Sequence, residues 1–381
     1  MNAVMHGLRK GTNASGMRRY NERLILSAVR RLNGASKADL SRVTGLSPQA
    51  VVRIVDELAD GGTLIQSGKR TGGMGQPAII YRINGKRGYT VGLEVGRGGL
   101  TIALLDFDGE RQAVHRPDGA FPSITRVIDE VNGFLHEHLA TKSLLNSDTF
   151  LGVGIAMPWF IGEWREELGI SVDQASEWRG TDVAHRLSDG IAWPTHFEND
   201  GNAATLAQLL CGAGINLQDF LSVNLGTFIG GGLVLSGRVV QGRHGNAGAL
   251  ASMPVPTAGH EDYLIHHASL YSLPADPKEQ DLAAWIERCA DALGFAVIGA
   301  NSLLDLEAVV IDGAAPQPVI DGVAAALERR LSRNVPPDFF APAVRTGRLG
   351  SAAAAVGAGL LPLHASFSPD LSALFKPAAS G

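Results

Sequence analysis

Two stretches decide the fold: HFENDGNAATLAQLL, residues 196–210, and FLSVNLGTFIGGGLVLSG, residues 220–237. The first sets Glu198, Asn199 and Asp200 at the end of a β-prone run, directly ahead of an apolar helical one. Open α/β sheets hold their ligand groups at such strand ends. A carboxylate there can accept a hydrogen bond from a sugar hydroxyl, or act as general base in phosphoryl transfer. Asn199 and Asp200 would equally serve as plain helix caps. The second stretch sets Gly226, Thr227 and Gly230 to Gly232 between two β runs. Such a turn can aim backbone N–H groups at a phosphate; a Gly-rich hairpin without any ligand has the same sequence.

Working outward, strands and helices alternate from residue 90 on. YTVGLEVG, LTIALLDFDGE, FLGVGIAMP, PTHFEND and LEAVVIDG read as strands, with helices near 123–140, 200–212, 279–304, 318–333 and 350–361. Strand pairs starting near Thr90 and Phe220 point to two similar halves, divided near residue 200, with the C-terminus returning to the first lobe. The 381 residues, 45% hydrophobic and 19% charged, hold ample core material and exclude a disordered or collagen-like chain. Cys211 and Cys289 are the sole cysteines, so there is no disulfide framework and no Cys cluster with zinc spacing. His260, His266 and His267 read as surface or helix residues, and no metal is expected. No apolar run reaches the roughly 20 residues of a membrane span, and MNAVMHGLRKGTNASG lacks the apolar region of a secretory signal. A reducing, cytoplasmic compartment is expected.

Charge is unevenly placed. Residues 1–90 hold 15 Lys+Arg against 5 Asp+Glu, while the rest holds 18 against 33. A basic first quarter on an acidic body suggests a polyanion-binding module joined to a body with another task. Residues 1–20 read as a flexible basic arm and 21–84 as a winged helix-turn-helix. Leu24, Ile25, Ala28, Val29 and Leu32 form the apolar stripe of a first helix. Ser36 and Asp39 make a capping signature for a second, with Leu40 and Val43 inward and Gly45 ending it. Ser47 caps a third, with Pro48 in its first turn and Val51, Ile54, Val55 and Leu58 inward. Its outward face presents Gln49, Ala50 and Arg53. Gln suits adenine and Arg suits guanine in the major groove. A β-hairpin, Thr63 to Gln66 and Ala78 to Ile83, follows with a long Gly-rich tip. Lys69 and Arg70 in this wing are placed for phosphate or the minor groove.

These residues together resemble the ROK family (repressor, open reading frame, kinase) of transcriptional regulators. The resemblance spans about residues 20–365. Its most specific parts are END-x-N-A-A at Glu198 to Ala204, LGT-x-IGGG at Leu225 to Gly232, LSGRVVQGRHGNAG at Leu235 to Gly248, and GQPAIIYRIN at Gly75 to Asn84. It implies an α/β chain with an N-terminal winged helix-turn-helix. The body, 90–381, would then be of two lobes with the actin-like ATPase (ribonuclease H-like) fold. It further implies an operator DNA partner, a sugar or sugar-derivative effector held by Asn199, Asp200, Gly226, Thr227 and Asn246, and a homo-oligomer.

Departures from the family pattern set the expected activity. Where family kinases carry D-x-G-x-T, this chain has Glu94 and Gly96, followed by Arg97 and Gly98. The E-x-G-H segment reads Gly248-Ala249-Leu250-Ala251, and the zinc loop after it is missing. The late G-G-G turn appears as IDGAA, Ile311 to Ala315. Asp200 is retained without the apparatus around it. The expectation is a DNA-binding regulator of carbohydrate genes without catalysis or cofactor, the alternative being a sugar kinase with an appended DNA-binding domain. With Ala249 in place of a carboxylate, the pocket is expected to be roomier and less polar on that side.

Overall fold

A computed structural model describes residues 14–71, 77–140, 149–180, 182–257, 260–274, 276–333 and 338–369. The chain divides into two compact units, residues 1–88 with 363–381, and residues 89–362.

In the first unit, three helices, α1 (Ala14–Arg31), α2 (Lys37–Thr44) and α3 (Pro48–Asp60), precede two antiparallel strands, β1 (Leu64–Arg70) and β2 (Ala78–Ile83). Ala35 bridges to Tyr81 and widens the hairpin's base. Ser36 and Asp39 form a reciprocal capping box on α2, which Gly45 ends in the left-handed conformation. Ile25, Val29, Leu40, Val51, Ile54, Val55 and Leu64 make the core, with Leu58 half-buried. Val43 is 49% exposed and Leu32 40%, so neither joins it. Of the arm expected at 1–20, residues 1–13 lie outside the described residues. From Ala14 the chain is already helical, earlier than the expected start at Asn21. Arg18 holds this extra length through Glu22 at 2.8 Å and Glu57 of α3 at 3.1 Å. Strand β1 also runs past its expected end at Gln66, pairing Lys69 with Ile79 and Arg70 with Ala78. The Gly-rich tip, 72–76, lies outside the described residues.

The second unit contains the same topology twice. Its first half runs β3 (Tyr89–Gly96), β4 (Gly99–Asp106), β5 (Arg111–His115), α4 (Ile124–Leu135), β6 (Phe150–Ala156), the short helices α5 (Arg165–Leu168), α6 (Val172–Glu177) and α7 (Val183–Gly190), β7 (Thr195–Glu198) and α8 (Asp200–Cys211). The second runs β8 (Phe220–Leu225), β9 (Ile229–Leu235), β10 (Arg238–Val239), the ribbon β11 (Pro254–Thr257) and β12 (His260–Tyr263), then α9 (Leu264–Ala268), α10 (Glu279–Leu304), β13 (Ala308–Gly313), α11 (Gln317–Arg333), β14 (Ala343–Thr346) and α12 (Ala353–Phe367). The sheets have orders β5-β4-β3-β6-β7 and β10-β9-β8-β13-β14. Each is an antiparallel meander extended by two parallel strands.

Alternation along the strands explains what covers each face. Val91, Leu93 and Val95 pack with Val127 and Val131 of α4, and Val309 and Ile311 pack with Leu293, Val297, Val323 and Leu327 of α10 and α11. The opposite faces are covered reciprocally, because the closing helix of each half lies on the other half's sheet. Helix α12 lies on β3 and β6, where a β-carbon at Gly92 would overlap the Ala355 carbonyl and one at Gly154 the Ala358 carbonyl. Helix α8 lies on β9, where a β-carbon at Gly232 would overlap the Thr205 hydroxyl and one at Gly201 the Gly231 carbonyl. The two helices meet where Gly357 abuts the Ala203 carbonyl, amid Ala156, Ala204, Ala353, Ala354 and Ala358. Thus Gly231 and Gly232 of the IGGG run serve close backbone packing.

Asp312, buried at the end of β13, reinforces this. It accepts hydrogen bonds from Gln208 Nε2 of α8 at 2.6 Å and from the backbone N–H groups of Gly313, Leu349 and Gly350 at 2.8, 2.9 and 3.1 Å. Cys289 is buried in α10, where burial pushes its thiol up to about 12, whereas Cys211 is exposed at the end of α8. Among the described residues, no helix is long and apolar enough to cross a membrane.

Replacing Gly154 by Ala should cost more than about 3 kcal/mol, since backbone must move to admit one methyl. Gly299 of α10, with open space around it, is the control: Gly299→Ala should stabilise by about 0.5–1 kcal/mol. Urea denaturation of both variants checks the contrast.

Candidate functional site

In the first unit, Ser47 Oγ accepts the Ala50 N–H at 3.3 Å and fixes the start of α3. Pro48 follows in the first turn, where its missing N–H costs nothing. Gln49 and Arg53 are exposed and Ala50 is half-buried. Arg53 makes only a long ion pair with Glu57, at 3.6 Å. Lys69 is exposed on β1. Arg70 is committed differently: it pairs with Asp39 at 2.9 Å and so ties the hairpin to α2. Asp39 also takes Arg42 at 2.8 Å, and its carboxyl is pushed down to about 2, first by the Ser36 hydroxyl, with Arg70 adding to the effect.

In the second unit, the C-terminal ends of β3, β6 and β7 lie side by side, with Glu94 opposite Ala156 and Ala156 opposite Glu198. Beyond this row come Arg97, Trp159 and Asp200. Glu198 is buried and saturated. Its Oε1 accepts from the Asn199 N–H at 2.8 Å and Asn202 Nδ2 at 3.1 Å, and its Oε2 accepts from Gln241 Nε2 at 2.7 Å. Asn199 Oδ1 accepts the N–H groups of Gly201 and Asn202, at 3.0 and 3.4 Å, so its oxygen is occupied capping α8. Of the two roles open to Asn199 in the sequence, its oxygen takes the capping one, and its amide donor is what remains for a ligand. The Gly245 carbonyl accepts from Trp159 Nε1 at 3.0 Å and Asn202 Nδ2 at 3.3 Å. That places the exposed Asn246 beside the start of α8.

Asp200 and Glu94 set the electrostatics. Burial pushes Asp200 up to about 6, against its backbone N–H bonds. Burial, and then the charge of Asp200, push Glu94 up to about 8, with Arg116 opposing. At pH 7 Glu94 holds its proton and Asp200 is mainly ionised, so the pair presents one O–H donor and one acceptor.

Opposite this edge is the β8–β9 turn. The Gly226 and Thr227 carbonyls accept the N–H groups of Leu270 and Tyr271, at 3.0 and 3.2 Å, and the Ile229 N–H donates to Ser269 Oγ at 2.9 Å. Phe228 projects from this turn into edge contacts with Trp164 at 5.0 Å and Tyr271 at 5.4 Å, and the Arg97 guanidinium covers its ring at 4.6 Å. The two sheet edges therefore meet through a caged ring and a cation. Phe228 occupies the variable position of LGT-x-IGGG, and Trp159 follows Pro158 at a strand end; neither carries a sequence signal of its own. The residues present do not fit a structural zinc. Cys289 is in the α10 core, Cys211 is at the end of α8, and among the described residues no three His, Cys, Asp or Glu side chains gather as a metal site. His266 and His267 both pair with Asp262.

Residues 90–261 match the family described as ROK family. An uncharacterized protein of Sinorhizobium fredii is 27% identical over 366 residues, 91% of each chain. The xylose repressor of Bacillus spizizenii is 24% identical over 245 residues, 64% of this chain and 62% of that one. A glucokinase of Halalkalibacterium halodurans is 29% identical over 175 residues, 44% of this chain and 51% of that one. A solved structure described as a ROK family transcriptional regulator, homolog of the E. coli MLC protein, aligns with TM-score 0.66 at 21% identity, over 92% of this chain and 97% of that one. At that identity the likeness establishes the fold.

The raised carboxyls give a sign for pH dependence. Glu94 loses its proton near 4.5 when unfolded and near 8 when folded, so its favourable contribution is complete below 4.5 and is lost as pH rises through 8. Glu94→Gln should be ahead of the parent protein by at least about 1 kcal/mol at pH 8.5 and level with it near pH 4. Melting curves across that range check this; parallel curves would discount the buried acid.

Proposed function

We propose that this chain, whose residues 90–261 form a ROK family domain, is a sequence-specific DNA-binding transcriptional regulator. It represses carbohydrate-related genes in the cytoplasm and responds to a sugar or sugar derivative held in a non-catalytic, kinase-like cleft. The observation that carries this is the exposed N-terminal face of α3, Gln49 and Arg53, in a part of the chain with threefold more basic than acidic residues. Residues 14–88 have the element order of a winged helix-turn-helix, in which α3 is the recognition helix. Ser47 and Ala50 position it, and Lys69 and Arg70 meet the DNA backbone. Arg70 first has to leave Asp39. The protein binds as a homo-oligomer, so that two recognition helices meet successive turns of the groove. Repression is supported by the similarity to proteins named xylose repressor.

The effector's hydroxyls fall to Asp200, the Asn199 amide, Asn246 and the Gly226–Thr227 turn, because hydroxyls buried without partners are costly. Absence of catalysis is supported by the β8–β9 turn. Two of the backbone N–H groups that a phosphate would need are bonded within the chain, Gly226 to the Asn224 carbonyl at 3.1 Å and Ile229 to Ser269 Oγ at 2.9 Å. The second reading, a sugar kinase with an appended DNA-binding domain, is favoured by the glucokinase similarity and by the Asp200 carboxylate.

Arg53→Ala should cost about 1–3 kcal/mol of operator binding and relax one base position. Lys69→Ala should weaken all sequences alike and reduce the salt slope by about 1. Fluorescence anisotropy over a salt series distinguishes the two, and operator preference untouched by Arg53→Ala would remove α3 as the reading helix. In a coupled ATP-consumption assay over neutral sugars, no turnover is expected; turnover abolished by Asp200→Asn would establish the kinase instead.

A further inference from the structure

Among the described residues of the second unit, Arg97 is a charged group with a buried nitrogen left unbonded. It sits in the turn between β3 and β4, and its Nη1 is buried with no hydrogen-bond partner. Its one close contact of known geometry is the Phe228 ring, 4.6 Å away. Buried donors are almost always bonded, and one that is not marks a position where a partner belongs. Arg97 follows directly on the strand that carries Glu94, which lies within the electrostatic reach of Asp200 and Arg116. Arg116 is held by the Ser351 hydroxyl at 3.1 Å.

We propose that the cleft takes a sugar bearing an oxyanion, a phosphate or a carboxylate, and that Arg97 receives that group. This rests on the sugar-responsive reading above and names the chemical class of its effector. A guanidinium offers a planar fork of donors that matches two oxygens of one anion, which a neutral hydroxyl cannot use. Charge-assisted bonds of this kind are stronger than contact with a ring face. The ring covers the face of the guanidinium and the oxyanion takes its edge, so Arg97 holds both at once and the ring keeps the fork in place. The ionised Asp200 repels the acidic end of the ligand and accepts from its hydroxyls, which fixes the orientation: acid toward Arg97, ring toward Asp200. Phe228 also contacts Trp164 of the first half and Tyr271 of the second. An anion on Arg97 therefore adds to the contact that joins the two sheet edges, so the acidic group is the part of the ligand coupled to the relative position of the halves.

The test is calorimetry of the full chain at pH 7.5 with matched sets: glucose, glucose 6-phosphate and glucuronate; xylose, xylose 5-phosphate and xylonate. One acid should bind at least about tenfold more tightly than its neutral parent. The phosphate and carboxylate arms identify which acid it is. Arg97→Gln should remove that advantage while leaving the neutral sugar within about twofold. Arg97→Lys, which keeps the charge and loses the fork, should retain part of it, and the neutral-sugar affinity serves as the check on folding in both. A neutral sugar binding as well as its acids, or an advantage that survives Arg97→Gln, overturns the assignment and leaves a sugar-responsive regulator standing. No binding by either set, with operator affinity unchanged, removes the sugar-responsive reading and this proposal with it.

Discussion

Helices α8 and α12 are seated on glycines of the opposite half, with backbone against backbone, and this contact orders the rest of the body. A helix lying on side chains can slide as rotamers change, whereas one lying on bare strand backbone has nothing to yield. Gly92 and Gly154 under α12, Gly231 and Gly232 under α8, and Gly357 between the helices leave no methyl's width at these points. Because α8 begins at Asp200, its seat also fixes where that carboxylate stands. Asp312 then joins β13, α8 and the approach to α12 through four accepted hydrogen bonds. The strand ends where Glu94, Glu198 and Asp200 gather are thus tied to the most constrained contact of the body.

The contact between the two sheet edges is less constrained. Trp164, Phe228, Tyr271 and Arg97 meet by ring edges and a cation, contacts worth about 0.5–2 kcal/mol each. An unbonded guanidinium nitrogen buried among them offsets part of that gain. A rigid seat beside a weakly held contact means that the two sheet edges can shift at small cost while α8 and α12 stay in place. The protonated Glu94 belongs to the same design. It removes a second negative charge from beside Asp200 while leaving a polar group in place.

Much of this was legible before any coordinates. Ser36, Asp39, Gly45, Ser47 and Pro48 are local signals with local causes, and they mark α2 and α3 correctly. Strands β3, β4, β6, β7, β8, β9 and β13 follow from runs of β-branched and aliphatic residues, and the doubling of the body from the two glycine-bearing strand pairs, whereas the short outer strands β5, β10 and β14 carry too little apolar sequence to be read. What was not legible depended on partners distant in sequence. IGGG reads equally as a phosphate turn or as a ligand-free Gly-rich hairpin until α8 is seen on top of it. Asn199 reads as either a ligand group or a cap until its oxygen is seen on the Gly201 and Asn202 amides, which leaves only its amide donor free. Arg70 reads as free for DNA until Asp39 is seen beside it. Val43 lies on the predicted inward face of α2, yet a helix of eight residues presents too little surface to bury both it and Leu40.

The two cysteines have a practical consequence. Cys289 is sealed in α10 with its thiol held in the protonated form, and Cys211 stands exposed at the far end of α8 from Asp200. A thiol-reactive dye offered to the native protein has one accessible target, and that target is on the helix that closes the cleft's floor. The chain as it stands can therefore be labelled at a single defined point, without engineering, and the emission of that label would follow the environment of α8 in real time.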